Sequence, residues 1–174
     1  MSLTVYLRIM SRIIGIGGCS RSGKSTLARR IKERFSDLRV LILDMDDFVL
    51  PEDQIPKIKD RADWELPTSV DFKKLIQAVK TNQDHDIIIV EGILIFANTA
   101  LLELFDTTIS IEISKETFLV RRKRETRWGE EPDWFIEHVW ESHLKYGTYK
   151  KTDIIVSGEN QITSEVLNDV INNL

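Results

Sequence analysis

The stretch Gly18-Cys19-Ser20-Arg21-Ser22-Gly23-Lys24-Ser25 decides the fold, because it fits the spacing G-x-x-x-x-G-K-[ST]. The short apolar run 13–16 precedes it, and the run 27–35, with apolar residues at helical spacing, follows it. In such a strand–loop–helix unit, glycines let backbone N–H groups turn inward and the helix N-terminus attracts anions. The sequence therefore predicts a phosphate-binding loop.

Two side chains of this loop have the chemistry that a nucleotide requires. We expect the Lys24 ammonium to reach the β- and γ-phosphates and to act in catalysis, and the Ser25 hydroxyl to ligate Mg²⁺. We interpret Cys19 as a small filler at a variable position and not as a nucleophile. The predicted nucleotide-binding residues of the loop are Gly18, Cys19, Ser20, Arg21, Ser22, Gly23, Lys24, Ser25 and Thr26.

Short apolar runs alternate with longer amphipathic runs along the whole chain. Strands are predicted at 13–16, 40–43, 87–90, 109–113 and 154–156, and helices at 27–35, 70–79, 99–105, 134–145 and 164–174, with a basic helix before the fourth of these. Continuous β-branched runs are typical of strands covered on both faces. We predict an α/β fold, the three-layer P-loop NTPase fold, with a mostly parallel five-stranded sheet flanked by helices.

Length and composition restrict the function classes. The 174 residues suit one domain, 1–174, with a short helical lid at about 121–135. A net charge of -4 argues against non-specific binding of nucleic acid or anionic membranes. No apolar run reaches the ~18 residues of a membrane span, and the single Cys19 favours a reducing compartment. We expect a cytoplasmic protein without nucleic-acid or membrane partners, as a monomer or weak homodimer.

A phosphate-binding loop alone does not choose among kinases, motor ATPases and GTP switches. The guanine-reading tetrapeptide N-K-x-D is missing from the sequence, since the nearest string, 81–84, reads Thr-Asn-Gln-Asp and lacks the lysine. The L-S-G-G-Q signature of transporter ATPases is also missing from the sequence. A small domain with abundant acceptor-side chemistry favours a kinase.

Acidic residues follow the second and third predicted strands. Asp46 and Asp47 come directly after the second, where a carboxylate faces the γ-phosphate and could accept a proton from an attacking hydroxyl. A helix cap or a solvated loop is the alternative for these aspartates. Glu91 ends the third strand, where an acid can organise Mg²⁺, the alternative being an exposed loop acid.

Two further segments suit a nucleoside acceptor. Trp64 could stack on a base and Glu65 could accept hydrogen bonds from ribose hydroxyls, although such a tryptophan is also typical of a lid over the core. The cationic stretch 121–127 would place Arg121 and Arg124 together on a helix, with Arg127 close by. These arginines could neutralise phosphate charge, or form an ordinary solvated basic face.

With these pieces in order, the sequence resembles the nucleoside kinases of the uridine kinase family, nicotinamide riboside kinases above all. The resemblance spans nearly the whole chain and rests on 18–26, 46–48 with 51–52, 64–67, 90–92, 122–127, 138–140 and 144–146. It implies that Asp46 is the catalytic base and that Glu91 lies near Mg²⁺. It also implies that Trp64 stacks on the base of the nucleoside. It also implies that Arg124 is a catalytic, ribose-contacting lid residue and that Arg127 faces the ATP phosphates.

The sequence departs from that family at two places. Glu65 stands where the family usually has aspartate, and Val49-Leu50 lacks an aromatic residue and a lysine that are often found there. The resemblance implies an ATP- and Mg²⁺-dependent kinase that phosphorylates the 5′-hydroxyl of nicotinamide riboside, a reaction of NAD biosynthesis. The alternatives are a uridine/cytidine kinase, another small-alcohol kinase acting on pantothenate or a sugar, and a P-loop regulator that binds nucleotide without transfer.

Overall fold

Five parallel strands form the centre of the structure, a computed structural model that describes residues 11–125 and 129–174. The strands are β1 (Arg12–Gly18), β2 (Val40–Asp44), β3 (Lys57–Ile58), β4 (Arg61–Ala62), β5 (Ile87–Gly92), β6 (Thr107–Glu112) and β7 (Ile154–Ser157). The helices are α1 (Lys24–Arg34), α2 (Phe72–Thr81), α3 (Thr99–Leu102), α4 (Lys115–Lys123), α5 (Asp133–Ser142) and α6 (Ser164–Asn172). The main sheet has the order β2-β5-β1-β6-β7, whereas β3 and β4 form a separate antiparallel hairpin.

The central strands are apolar along their length because helices cover both faces of the sheet. In the parallel register of β1 and β5, Ile14 lies opposite Ile89 and Gly15 opposite Val90, and all four are buried. Since the two strands end at the same edge, the loop after β1 lies beside Glu91 at the end of β5. Ligands of open α/β sheets bind at this edge.

Three clusters of buried hydrophobic side chains form the core. One face of the sheet packs against α1 and α6, through residues such as Leu27 and Val170, and the other packs against α2 and α3, through Leu75 and Leu101. A third cluster joins Phe118 of α4 to three buried residues of α5. The predicted three-layer α/β fold with a parallel five-stranded sheet is confirmed.

The structure differs from the sequence-based expectations mainly at element ends. Helix α1 begins at Lys24, three residues before the apolar spacing starts, because the phosphate-binding loop leads directly into its first turn. Helix α5 ends at Ser142 and a π-helical turn, His143–Gly147, continues the chain. The β3–β4 hairpin was not predicted, since two-residue strands leave no periodic signal.

No helix in the described ranges has both the length and the apolar character that crossing a membrane would require.

Candidate active site

A cavity of about 710 Å³ opens at the carboxyl ends of β1, β2 and β5. It is lined by sequence-predicted site residues from four segments, namely Ser20, Arg21, Gly23, Lys24, Ser25, Thr26, Asp46, Glu91 and Arg124. Arg121 of the cationic stretch also lines the cavity, together with three residues that were not proposed as site residues, namely Asp44, Gly92 and Ile93. The cavity thus brings the phosphate-binding loop together with the acids that follow β2 and β5.

The floor of the cavity is a buried cation between a carboxylate and a backbone carbonyl. Lys24 Nζ donates a hydrogen bond of 2.9 Å to the carbonyl oxygen of Cys19. Burial lowers the pKa of Lys24, while the nearby Glu91 carboxylate counteracts this effect. The ammonium is therefore held in one position next to the loop, where added negative charge would stabilise its charged form.

Gly23 gives the loop its open concave side. Its backbone adopts φ +109°, a left-handed conformation that glycine tolerates, and a Cβ atom at this position would point into open space. Helix α1 begins at the next residue, and no acidic residue lies in its first turn. An anion at this N-terminus therefore meets free space and the positive end of the helix dipole.

Three predicted loop residues lie beneath this surface instead of on it. Gly18, Cys19 and Ser22 do not line the cavity. A Cβ on Gly18 would lie 2.5 Å from the Ile111 carbonyl oxygen, so close packing against β6 requires glycine there. Burial raises the pKa of the Cys19 thiol to about 11, which agrees with a filler and not with a nucleophile.

Ser22 shows a different feature of the loop. Its hydroxyl oxygen is buried and has no hydrogen-bond partner within residues 11–125 and 129–174.

Among the acids at the end of β2, Asp44 both lines the cavity and caps a short helix. Asp44 caps the short 3₁₀ helix Met45–Phe48 by accepting a 2.9 Å hydrogen bond from the Asp46 backbone N–H. Asp46 lines the cavity, whereas its neighbour Asp47 does not. The cap therefore turns the chain so that the first acid of the pair, and not the second, faces the phosphate-binding loop.

The donor atoms near Glu91 suit magnesium. The Ser25 hydroxyl hydrogen-bonds the Glu91 carboxylate, and burial raises the pKa of that carboxyl. These are hard oxygen ligands, the type that Mg²⁺ prefers. In the part of the chain that the structure describes, no group of three or more His, Cys, Asp or Glu side chains could hold a metal alone. This fits an ion held by one or two protein oxygens together with substrate phosphates.

The basic end of α4 is tied to the phosphate-binding loop. Arg121 donates hydrogen bonds to the carbonyl oxygens of Arg21 (3.1 Å), Gly158 (2.7 Å) and Glu159 (2.8 Å). Helix α4 ends at Lys123, yet Arg121 and Arg124 both line the cavity, as their spacing suggested. Arg127 falls among residues 126–128, which lie outside the described residues.

Arg122 is a contact residue that the sequence analysis did not single out. It makes two hydrogen bonds, of 2.7 and 2.8 Å, to the Glu131 carboxylate, and both side chains are largely buried. Its third contact is a 2.7 Å hydrogen bond to the Ser20 hydroxyl of the loop. The only available sequence signal was its place in a basic run, which does not distinguish a buried arginine from a solvated one.

Trp64 and Glu65 do not line the cavity of the phosphate-binding loop. Trp64 is 36% exposed, so its ring remains accessible, whereas Glu65 is only 7% exposed. Burial raises the pKa of Glu65 to about 7, and the positive charge of Arg122 opposes this shift while Asp63 adds to it. The two predicted acceptor residues thus form a separate, partly buried region next to the basic segment.

Comparisons with known proteins agree on one family. Nicotinamide riboside kinase 1 of Homo sapiens is 30% identical over 154 residues, which cover 77% of this chain and 75% of that protein. A uridine kinase of Oceanobacillus iheyensis is 23% identical over 191 aligned positions, covering 89% and 91%. No model of a protein family matches the chain.

Solved structures share the fold of this chain. A solved structure described as a possible uridine kinase from Bacillus stearothermophilus superposes with a TM-score of 0.55 at 18% identity, covering 84% of this chain and 88% of that one. This likeness concerns the fold, whereas the similarity to the human kinase reaches the level of a shared family. The chain belongs to the nicotinamide riboside kinase and uridine kinase family of P-loop nucleoside kinases.

Proposed function

We propose that this nucleoside kinase transfers the γ-phosphate of ATP, with Mg²⁺, to the 5′-hydroxyl of nicotinamide riboside. The observation that carries the transfer is the placement of Lys24, Asp46 and Glu91 around one cavity. The choice of nicotinamide riboside rests on the 30% identity to the human kinase of that name, against 23% to the uridine kinase. Both relatives belong to one family, so the acceptor has to be decided by an acceptor assay.

In this proposal some residues around the cavity neutralise the phosphate charge and others orient the attacking hydroxyl. Lys24 and Arg124 lie where they would neutralise phosphate oxygens as these gain charge. Asp46 accepts the proton of the attacking 5′-hydroxyl at a carboxylate oxygen and orients that hydroxyl. Ser25 and Glu91 would hold Mg²⁺, which supplies charge stabilisation to the transferring phosphoryl group. Arg127, by the resemblance, adds a further charge near the ATP phosphates.

Acceptor recognition in this proposal falls to the region around Trp64. An exposed indole can stack on a planar ring, and a cationic nicotinamide ring gains further from the negative face of the indole. Glu65 in its ionised form accepts hydrogen bonds from the ribose hydroxyls. A uridine/cytidine kinase remains the second candidate, supported by the similarity to the Oceanobacillus protein over nearly its full length.

The experiment is an acceptor screen with the purified enzyme, ATP and Mg²⁺. Nicotinamide riboside, uridine, cytidine, adenosine and pantothenate are compared by acceptor-dependent ADP release. We expect the highest kcat/KM with nicotinamide riboside. A higher kcat/KM with uridine or cytidine would contradict the proposed acceptor and favour the second candidate. Release of ADP that does not depend on any acceptor would contradict the proposed transfer.

A further inference from the structure

A buried acid lies directly before the two acceptor residues. Asp63 is 5% exposed, and its Oδ1 atom accepts a hydrogen bond of 3.3 Å from the backbone N–H of Glu65. A carboxylate that is removed from water is costly unless hydrogen bonds satisfy its oxygens. The conformation of residues 63–65 is therefore coupled to whatever else bonds to Asp63.

The second partner of Asp63 comes from a distant helix. His138 Nε2 lies 2.9 Å from the same Oδ1 atom, although the two residues are 75 positions apart in the chain. His138 belongs to α5, which begins within the predicted lid segment at 121–135. The pair thus joins the loop that carries Trp64 and Glu65 to helix α5.

Helix α5 is a firm support for this contact. Its residues Phe135, Ile136 and Val139 are buried against Phe118 of α4. The ring of Phe135 also packs 6.1 Å, between centroids, from the His138 ring. Since both neighbouring turns of α5 are fixed in a core, the imidazole has little freedom and presents its nitrogen to Asp63 from a fixed position.

The role of the pair is one of positioning. Neither Asp63 nor His138 lines the cavity that contains Lys24, Asp46 and Glu91. A histidine paired with a carboxylate can act as an acid–base catalyst only within reach of a reacting proton. Here the carboxylate oxygen is instead shared between the imidazole and the loop backbone.

We infer that the Asp63–His138 pair is a positioning pair, which fixes the 63–65 loop so that Trp64 and Glu65 are set for the acceptor. The inference rests on the proposed role of these two residues in acceptor binding. Within residues 11–125 and 129–174, loss of His138 leaves the buried Asp63 carboxylate with the longer bond to the Glu65 backbone, so the loop rearranges to satisfy its oxygens. The nucleotide side of the site is unaffected by this change.

The kinetic test separates acceptor binding from ATP binding. His138→Ala is expected to raise the acceptor KM by about 10-fold, as loss of a hydrogen bond to a buried charge does, with the KM for ATP and kcat within about twofold of wild type. His138→Gln keeps an N–H donor, so we expect its acceptor KM to lie close to that of the wild type. Asp63→Asn keeps an accepting oxygen but removes the charge that strengthens both hydrogen bonds, so we expect a smaller rise of the same KM, and combining it with His138→Ala adds little, because both changes act on one interaction.

A matched control exists elsewhere in the chain. His85 Nδ1 lies 3.3 Å from Asp84 Oδ1 before β5, at the edge of the sheet opposite the cavity. His85→Ala therefore removes another histidine beside an aspartate, and we expect it to leave both KM values unchanged. Thermal unfolding of each variant shows whether the chain still folds, and Asp63→Asn serves as the disrupting variant if His138→Ala does not fold.

Hydrogen exchange tests the inference without any acceptor. In the enzyme alone, His138→Ala is expected to speed amide exchange in a peptide spanning 63–66, with no change in one spanning the phosphate-binding loop. Unchanged exchange at 63–66, or equal rises of the KM values for ATP and acceptor, would overturn the inference. If nicotinamide riboside is not phosphorylated, the proposed acceptor is wrong, and the kinetic arm uses whichever ribonucleoside the screen finds.

Discussion

The phosphate side and the proposed acceptor side of the candidate site are built in different ways. The phosphate side is centred on one contiguous segment, in which β1 leads through the phosphate-binding loop to α1 and Lys24 bonds to Cys19 five residues away. The proposed acceptor side depends on a pair from distant segments, because Asp63 bonds to His138 across 75 positions. Local geometry is set by residue types at fixed spacing, whereas long-range pairs depend on the finished fold.

The difference predicts how substitutions on the two sides behave. Changes on the phosphate side remove charge from the reacting centre and lower kcat, because that charge acts most strongly in the transition state. Changes on the acceptor side alter binding of one substrate and act mainly on its KM. A substitution on one side that acts on the kinetic constant expected for the other side would contradict this division.

Lys24→Ala is expected to have the largest effect. The ammonium is buried between the Cys19 carbonyl and the Glu91 carboxylate, and no solvated cation can replace it there. We expect kcat to fall by at least about 10³-fold, measured by coupled ADP release under saturating substrates. Lys32→Ala, an exposed lysine in the last turn of α1, is the control and should retain wild-type turnover. A folded Lys24→Ala variant with a kcat near that of the wild type would contradict the assignment of the loop as the phosphate-binding site.

Asp46→Asn should have the next largest effect. The amide keeps the size of the side chain but cannot accept the proton of the 5′-hydroxyl, so kcat is expected to fall by about 10²-fold or more. Asp47→Asn is a matched control, because Asp47 is equally exposed and does not line the cavity. Equal losses in the two variants would argue against Asp46 as the base.

The strand–loop–helix unit around the phosphate-binding loop and the parallel sheet could be predicted from the sequence for a physical reason. The spacing of glycines, lysine and serine determines a local backbone path, and the β-branched runs of β1 and β5 reflect burial on both faces. These features depend on residues close together in the chain, which a single sequence displays.

The acceptor side was predicted only in part, because its defining contacts are not local. The sequence gives no sign that Arg122 is buried against Glu131, since neighbouring basic residues have the same composition. Nor does it show that Asp63 bonds to His138, since each residue alone is typical of a polar surface. Burial of Glu65 follows from the packing of these pairs around it, and its shifted pKa follows from that burial.

Trp64→Ala tests the acceptor side directly. If the exposed indole stacks on the acceptor base, its loss raises the acceptor KM by roughly 5- to 150-fold, the range expected for about 1–3 kcal/mol of stacking. The KM for ATP should stay nearly unchanged, because Trp64 does not line the cavity of the phosphate-binding loop. We expect a larger rise for nicotinamide riboside than for uridine, since only the former has a cationic ring. Equal changes for ATP and acceptor would contradict the division of the site.

The smallest expected effect is a pH dependence of acceptor binding that Glu65 controls. Its pKa is raised to about 7 by burial, so the carboxyl is mostly protonated at about pH 6 and mostly ionised at about pH 8. The ionised form accepts hydrogen bonds from both ribose hydroxyls, whereas the protonated form has less capacity to accept them. The acceptor KM should therefore fall by several-fold, up to about 10-fold, as the pH rises through 7.

Glu65→Gln is the matched control for this pH profile. The amide has nearly the same shape but does not titrate, so its acceptor KM should be raised at high pH and should lose the step near pH 7. Measuring KM and kcat separately at each pH distinguishes this effect from titration at the reacting centre, which acts on kcat. If the step persists in Glu65→Gln, another group controls acceptor binding. If it appears in the KM for ATP and not for the acceptor, Glu65 serves the phosphate side, and the separation between the two sides does not hold.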